Sequence, residues 1–278
     1  MRSFVISAPG KLAAVDRTAT VEKRAGRPNR VLVFLHGVGE AFTPELKEGR
    51  LTAESLRAVG LQRLYHHGLP KILVTPEAHA VAGNPPGQPA ASLPLFLDFV
   101  IIAPQTLLRE DMADEATRLG MMSDVVALAK AIAGEDITMA LMGFSRGGYA
   151  AVHLANRFPI VKAVVTMDAA AKTVDELGAF QKAVDEMKAP CWMFHADYNG
   201  VPDDTDWKHK ITAFHREKIK ADEVPDASSP PMVAAAPGTK FRTQIGAKGK
   251  RVDTHVHVCN TACARKDVYE WLDKQLER

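Results

Sequence analysis

No stretch of this 278-residue chain stays apolar for the ~18 residues that a membrane-crossing helix needs, so none reads as a transmembrane span. Cysteine is scarce. Cys191, Cys259 and Cys263 make an odd, low count, which excludes a disulfide framework and fits a reducing compartment. An excess of one charge is missing as well: 35 Lys and Arg stand against 33 Asp and Glu, a formal +2 that gives no reason to expect nucleic acid. The short basic clusters at Glu22–Arg30 and Lys248–Arg251 read as solvated loops. The opening residues, MRSFVISAPGKLAAV, lack the continuous apolar core of a secretory signal. Internal repeats and a second composition class are absent too. The expectation is one soluble, cytoplasmic domain over residues 1–278, since α/β domains of this size are routinely single. Oligomeric state leaves no mark in the sequence.

What is present is alternation. Residues 1–29 hold two short strand candidates, Ser3–Ser7 and Leu12–Val21, separated by Pro9-Gly10. Buried-strand patterns follow at Arg30–Leu35, Phe99–Ala103 (stopped by Pro104), Ile137–Met142, Ile160–Met167, Cys191–His195 and Lys240–Ile245. Helical spacing is read at 43–64, Asp111–Ile132, Tyr149–Phe158, Val174–Met187, Asp206–Ile219 and Ala262–Leu276. Residues 66–96 and 221–238 are Pro-rich and read as long loops beside a site. Strands alternating with helices predict an α/β fold, a doubly wound, mostly parallel sheet with helices on both faces. In such sheets ligands sit at the carboxyl ends of the strands. His36, Ser145, Asp168, His195 and Asp197 all fall just after a strand candidate.

The densest signal is Gly143-Phe144-Ser145-Arg146-Gly147, which reads Gly-x-Ser-x-Gly between a strand and a helix. A serine hydroxyl is a poor nucleophile near neutral pH and needs a base, a carboxylate to hold the base, and donors for an oxyanion. The tight turn would lift the hydroxyl above the sheet, with the positive end of the next helix aimed at it. His36-Gly37-Val38-Gly39, after the first central strand, is the candidate second wall of an oxyanion hole, with His36 in a structural role.

Four stretches carry a family likeness: LHGVGE at 35–40, HGLP at 67–70, APQ at 103–105 and GFSRGGY at 143–149, with WMFH at 192–195 and VYEWL at 268–272 in support. The chain resembles the α/β-hydrolases, and within them the carboxylesterase, feruloyl-esterase and predicted-peptidase branch related to polyhydroxybutyrate depolymerases. The resemblance implies a Ser-acid-His triad in that chain order, with Ser145 as nucleophile and the Val38 and Arg146 N–H groups as oxyanion donors. It implies no metal or organic cofactor, and a small-molecule ester as the substrate, peptide cleavage being the alternative.

The acid departs from the family pattern. The family carries H-G-x-x-D-x-V-V-P after its seventh strand. This chain has His195-Ala196-Asp197-Tyr198-Asn199-Gly200-Val201-Pro202, which puts Asn199 at the family aspartate. Asn cannot stabilise an imidazolium by charge, and losing that carboxylate lowers turnover by about 10⁴. Asp197 is the first candidate to replace it and Asp168 the second. Asn199 itself, or Asp203, Asp204 or Asp206, comes after, the last three fitting a helix N-cap better. The base is His255 or His257. Counting back from Trp271, the family's position falls between them, and His257, nearer the closing helix, is slightly favoured.

Two rivals remain. A metal site could be built from His255, His257, Cys259 and Cys263 if that segment is extended, although no second Cys pair matches it. A weakened triad could leave a binding scaffold. Tyr198, Trp192 and Trp207 are either core residues or the lining of an aromatic pocket.

Overall fold

The computed structural model describes residues 3–8, 11–14, 29–41, 68–70, 99–106, 112–195, 254–263 and 265–277. Its strands are β1 (Ser3–Ala8), β2 (Lys11–Ala14), β3 (Asn29–Leu35), β4 (Val100–Gln105), β5 (Ile137–Phe144), β6 (Val161–Met167) and β7 (Cys191–Phe194). They form one sheet in the order β2-β1-β4-β3-β5-β6-β7. From β4 to β7 neighbouring strands are parallel, and β1 and β2 add an antiparallel hairpin at the β4 edge.

The described helices are α1 (Glu115–Ala133), α2 (Arg146–Arg157), α3 (Val174–Glu186), α4 (Thr254–Cys263) and α5 (Lys266–Leu276). Alternation along each central strand sends neighbouring side chains to opposite faces. Val31, Val33 and Leu35 of β3, with Met139 and Leu141 of β5, pack under α1, α2 and α3. Leu32 and Phe34, with Ala140, Met142 and Phe144, pack under α4 and α5. The central strands are therefore buried on both sides and read as largely apolar runs for that reason. This is a doubly wound, mostly parallel α/β sheet with helices on both faces. No described helix is long and apolar enough to cross a membrane.

Two sequence expectations need correction. The strand expected to stop at Pro104 runs on to Gln105, with Pro104 paired to Phe4. The ladder between β4 and β3 ends at Ile102, so the missing N–H of Pro104 interrupts nothing on that side. The closing helix is two helices, and the first begins at Thr254. Val258, Cys259, Ala262 and Cys263 are all buried against the sheet, a spacing that only a helix presents to one face. This packing overrides the β-branched, alternating look of Thr-His-Val-His-Val. The extended segment on which the metal rival depended is therefore helical.

The helix expected at 43–64, that at 206–219, the strand at 240–245 and the loop at 221–238 lie outside the described residues. So does all of the 66–96 loop except 68–70, which is helical.

Candidate active site

Ser145 sits between the last residue of β5 and the first of α2, at φ 55 and ψ −119. Positive φ is uncommon for a residue with a Cβ and marks local strain. The flanking glycines explain how the chain turns here. A Cβ on Gly147 would lie 2.0 Å from the Leu35 carbonyl oxygen, and one on Gly143 would lie 2.3 Å from that of Gly147. Strand, turn and helix cross too closely for any side chain at either position. The Arg146 amide is the first of α2, one of those that no intrahelical carbonyl can satisfy.

The turn is stitched to its neighbour. The Ser145 amide donates to the Met167 carbonyl (2.9 Å), and the Ser145 carbonyl accepts from the Ala170 amide (3.1 Å). The Arg146 side chain continues the stitch. Its Nη1 donates to the Ala170 carbonyl (3.1 Å), and its two terminal nitrogens each donate to one oxygen of Glu176 at 2.8 Å. This forked pair fixes the start of α2 relative to α3 and the 168–171 segment. The same contact holds the Glu176 carboxyl below its ordinary range. Sequence reasoning passed over Glu176, although Thr173-x-x-Glu176 has the pattern of a capping box, and the Thr173 hydroxyl does accept from the Glu176 amide (3.2 Å).

Val38 lies in a short 3-10 turn, Val38–Glu40, directly after β3. His36 anchors that turn. Its Nε2 accepts from the Thr106 amide (3.0 Å), so Nδ1 carries the proton and donates to the Gly37 carbonyl (2.6 Å). Gln105 Nε2 donates to the Glu40 carbonyl (2.8 Å). His36 is thus a neutral, buried structural histidine, and the last residue of the 103–105 motif, with Thr106 after it, holds the Val38 turn in place.

Asp168 follows β6 at φ 50; it and Ser145 are the two non-glycine residues with positive φ among those described. Its amide donates to the Phe194 carbonyl at 2.7 Å, and the residue is almost fully buried. Nδ1 of His255, on α4, makes a short contact to Oδ2 of Asp168. Nδ1 of His195 lies 2.7 Å from Oδ1. Burial pushes the Asp168 carboxyl up, but the charges and hydrogen bonds of His195 and His255 outweigh it and hold the group well below the usual carboxylate range. The His255 ring lies 4.6 Å from that of Phe144, the residue before Ser145. The helical segment at 68–70 ties to the same helix through the Gly68 amide and Asn260 Oδ1 (3.0 Å).

The structure thus brings Ser145, Arg146, Asp168 and His255 to the carboxyl ends of adjacent strands and joins Asp168 to His255. Asp197, Asn199, Asp203, Asp204 and Asp206 lie outside the described residues, as do Tyr198 and Trp207. His257 belongs to α4. His195, read from sequence as a strand-end residue, faces the Asp168 carboxylate. Trp192 is buried in the core, stacked on Phe194 and edge-on to Trp271. Cys259 and Cys263 are buried in the same core. Burial, with Cys263 beside it, pushes the Cys259 thiol well up, which opposes the thiolate a metal requires. Among the described residues, no three His, Cys, Asp or Glu side chains are grouped to hold a metal ion.

No family model matches the chain, and no curated protein matches it in sequence. Among solved structures it is similar to one described as a putative dienelactone hydrolase from Klebsiella pneumoniae. The identity is 12%, the TM-score 0.41, and the match covers 93% of this chain and 90% of the other.

Proposed function

We propose that the chain is a serine hydrolase that cleaves carboxylic esters through an acyl-enzyme. The observation that carries this reading is the contact between His255 Nδ1 and the buried Asp168 carboxylate, one strand away from the strained Ser145 turn. An imidazole whose Nδ1–H is held by a carboxylate presents a basic Nε2, the arrangement that activates a serine. In this reading Asp168, after β6, supplies the acid in place of Asp197, and Asn199 need not. His255 rather than His257 is the base.

Nε2 of His255 takes the Ser145 proton as Oγ attacks the ester carbonyl. The oxyanion is held by the Val38 and Arg146 amides, and the helix start favours that charge. Collapse breaks the ester C–O bond, and the imidazolium returns the proton to the departing alcohol. Water then repeats the sequence on the acyl-enzyme and releases the carboxylic acid.

Incubation with a fluorophosphonate followed by peptide mass mapping tests this. The expected result is an adduct on Ser145 together with p-nitrophenyl ester turnover that Ser145→Ala abolishes. Folded protein without an adduct at Ser145, or turnover that survives Ser145→Ala, overturns the reading.

A further inference from the structure

Asp168 is gripped from two sides, and the chemistry above uses only one of them. His255, from α4, contacts Oδ2. His195, at the end of β7, brings Nδ1 to 2.7 Å from Oδ1, and its side chain is 6% exposed. Two elements distant in sequence thus each bring an imidazole Nδ1 within ion-pair distance of one oxygen of a single buried carboxylate. A carboxylate with one donor is free to swing about its Cβ–Cγ bond. A second donor on the other oxygen fixes the carboxylate plane, and with it the direction of the lone pair that meets His255. The second donor also draws charge from the carboxylate that holds His255.

We propose that His195 is a positioning residue for the serine chemistry: its Nδ1–H locks the Asp168 carboxylate in the plane that orients His255 and takes up part of its charge. This role rests on the reading of Ser145, Asp168 and His255 as nucleophile, acid and base. Asp168 is faced by His195 from the β7 end and by His255 from α4, and among the described residues Cys259 and Cys263 on α4 and Glu40 at the end of the Val38 turn are the further titratable groups of this cluster. Removing the His195 donor leaves the carboxylate looser and more of its charge available to His255. The base then becomes less well aimed and more basic.

The test is the second-order rate of fluorophosphonate labelling at Ser145 in the full chain, followed against pH. His195→Phe keeps a ring and removes the donor. His195→Asn places an amide N–H near the position of Nδ1. The expected result is labelling about 10-fold slower in His195→Phe, with the acid limb of the pH profile moved upward, and recovery of both in His195→Asn. Wild-type rate and profile in His195→Phe overturn the role. Equal impairment of both variants, each folded, overturns it as well, because packing alone then accounts for the residue.

Nitrogen-15 NMR of the wild-type imidazoles applies the same test without a substitution: His195 is expected to be protonated at Nδ1, and a bare Nδ1 overturns the role. If the wild type takes no adduct at Ser145, the nucleophile reading itself fails and this role falls with it. That outcome is distinct from a labelled wild type with indifferent His195 variants.

Discussion

Ser145 follows β5 at φ 55, and Asp168 follows the neighbouring β6 at φ 50. The backbone conformation is similar, but the two turns reach it by different routes. Around Ser145 the means are local: Gly143 and Gly147 leave out the side chains that would collide with backbone. Asp168 has no glycine beside it in sequence; the next residues are Ala169, Ala170 and Ala171. That turn is held by contacts from elsewhere in the chain: the Phe194 carbonyl on its amide, His195 and His255 on its carboxylate, and Ser145 and Arg146 on Ala170. Strain of order 1–3 kcal/mol persists only where surroundings over-determine it. Here one turn is determined by what its neighbours lack and the other by what distant residues supply.

The largest expected effect separates the two aspartates that follow β6 and β7. Asp168→Asn keeps a residue that tolerates positive φ but removes the charge. Ester turnover should fall by about 10⁴, with Ser145 still in its strained turn. Asp197→Asn should leave turnover near that of the wild type. Steady-state kinetics of both variants decides, and the reverse pattern would place the acid after β7.

Next comes a pair of substitutions that exchange the same methyl group. Gly147→Ala drives a Cβ to within 2.0 Å of the Leu35 carbonyl oxygen, which is backbone and cannot yield cheaply. The expected loss is on the order of 4 kcal/mol. Ala170→Gly, in the turn built by distant contacts, should cost about 1 kcal/mol. Urea midpoints measure both, and equal losses would erase the distinction between the turns. Arg146→Met should come third. It removes the forked bond to Glu176 and the bond to Ala170, for a loss of about 2 kcal/mol, and it should slow labelling at Ser145. Arg146→Lys should not restore the loss, because one ammonium cannot span both Glu176 oxygens.

This difference explains what could be read from the residues alone. The parallel core was legible because burial on both faces leaves unbroken apolar runs at 31–35 and 139–142. Ser145 was legible because its turn is written in adjacent glycines. In the sequence Asp168 stands out only as a strand-end alternative, since its partners lie 27 and 87 residues away at His195 and His255. His255 and His257 could not be separated by spacing, because the choice depends on a helix that tertiary packing imposes on a strand-like sequence.

Acid should distinguish the two turns last and most gently. The helix that carries the Ser145 turn also carries His153, whose Nε2 is buried without a partner among the described residues and whose ring lies 4.5 Å from that of Tyr149. Burial, and then the nearby Arg118 charge, push its pKa down to about 4. In the unfolded chain an ordinary histidine titrates near pH 6.5. Between those values the unfolded state binds the proton that the folded state refuses, so stability falls as pH drops from about 6.5 to 4. Asp168 behaves differently. Its carboxyl is depressed in the fold, so its contribution is complete above the ordinary carboxylate range and is lost only as pH falls below that range. His153→Phe keeps a ring beside Tyr149 and removes the titrating group. Urea midpoints at pH 7 and pH 5 should therefore converge in His153→Phe while they separate in the wild type. A wild-type midpoint that holds steady from pH 7 to 5 would mean that the Ser145 helix admits the proton and is no more acid-sensitive than the Asp168 turn beside it.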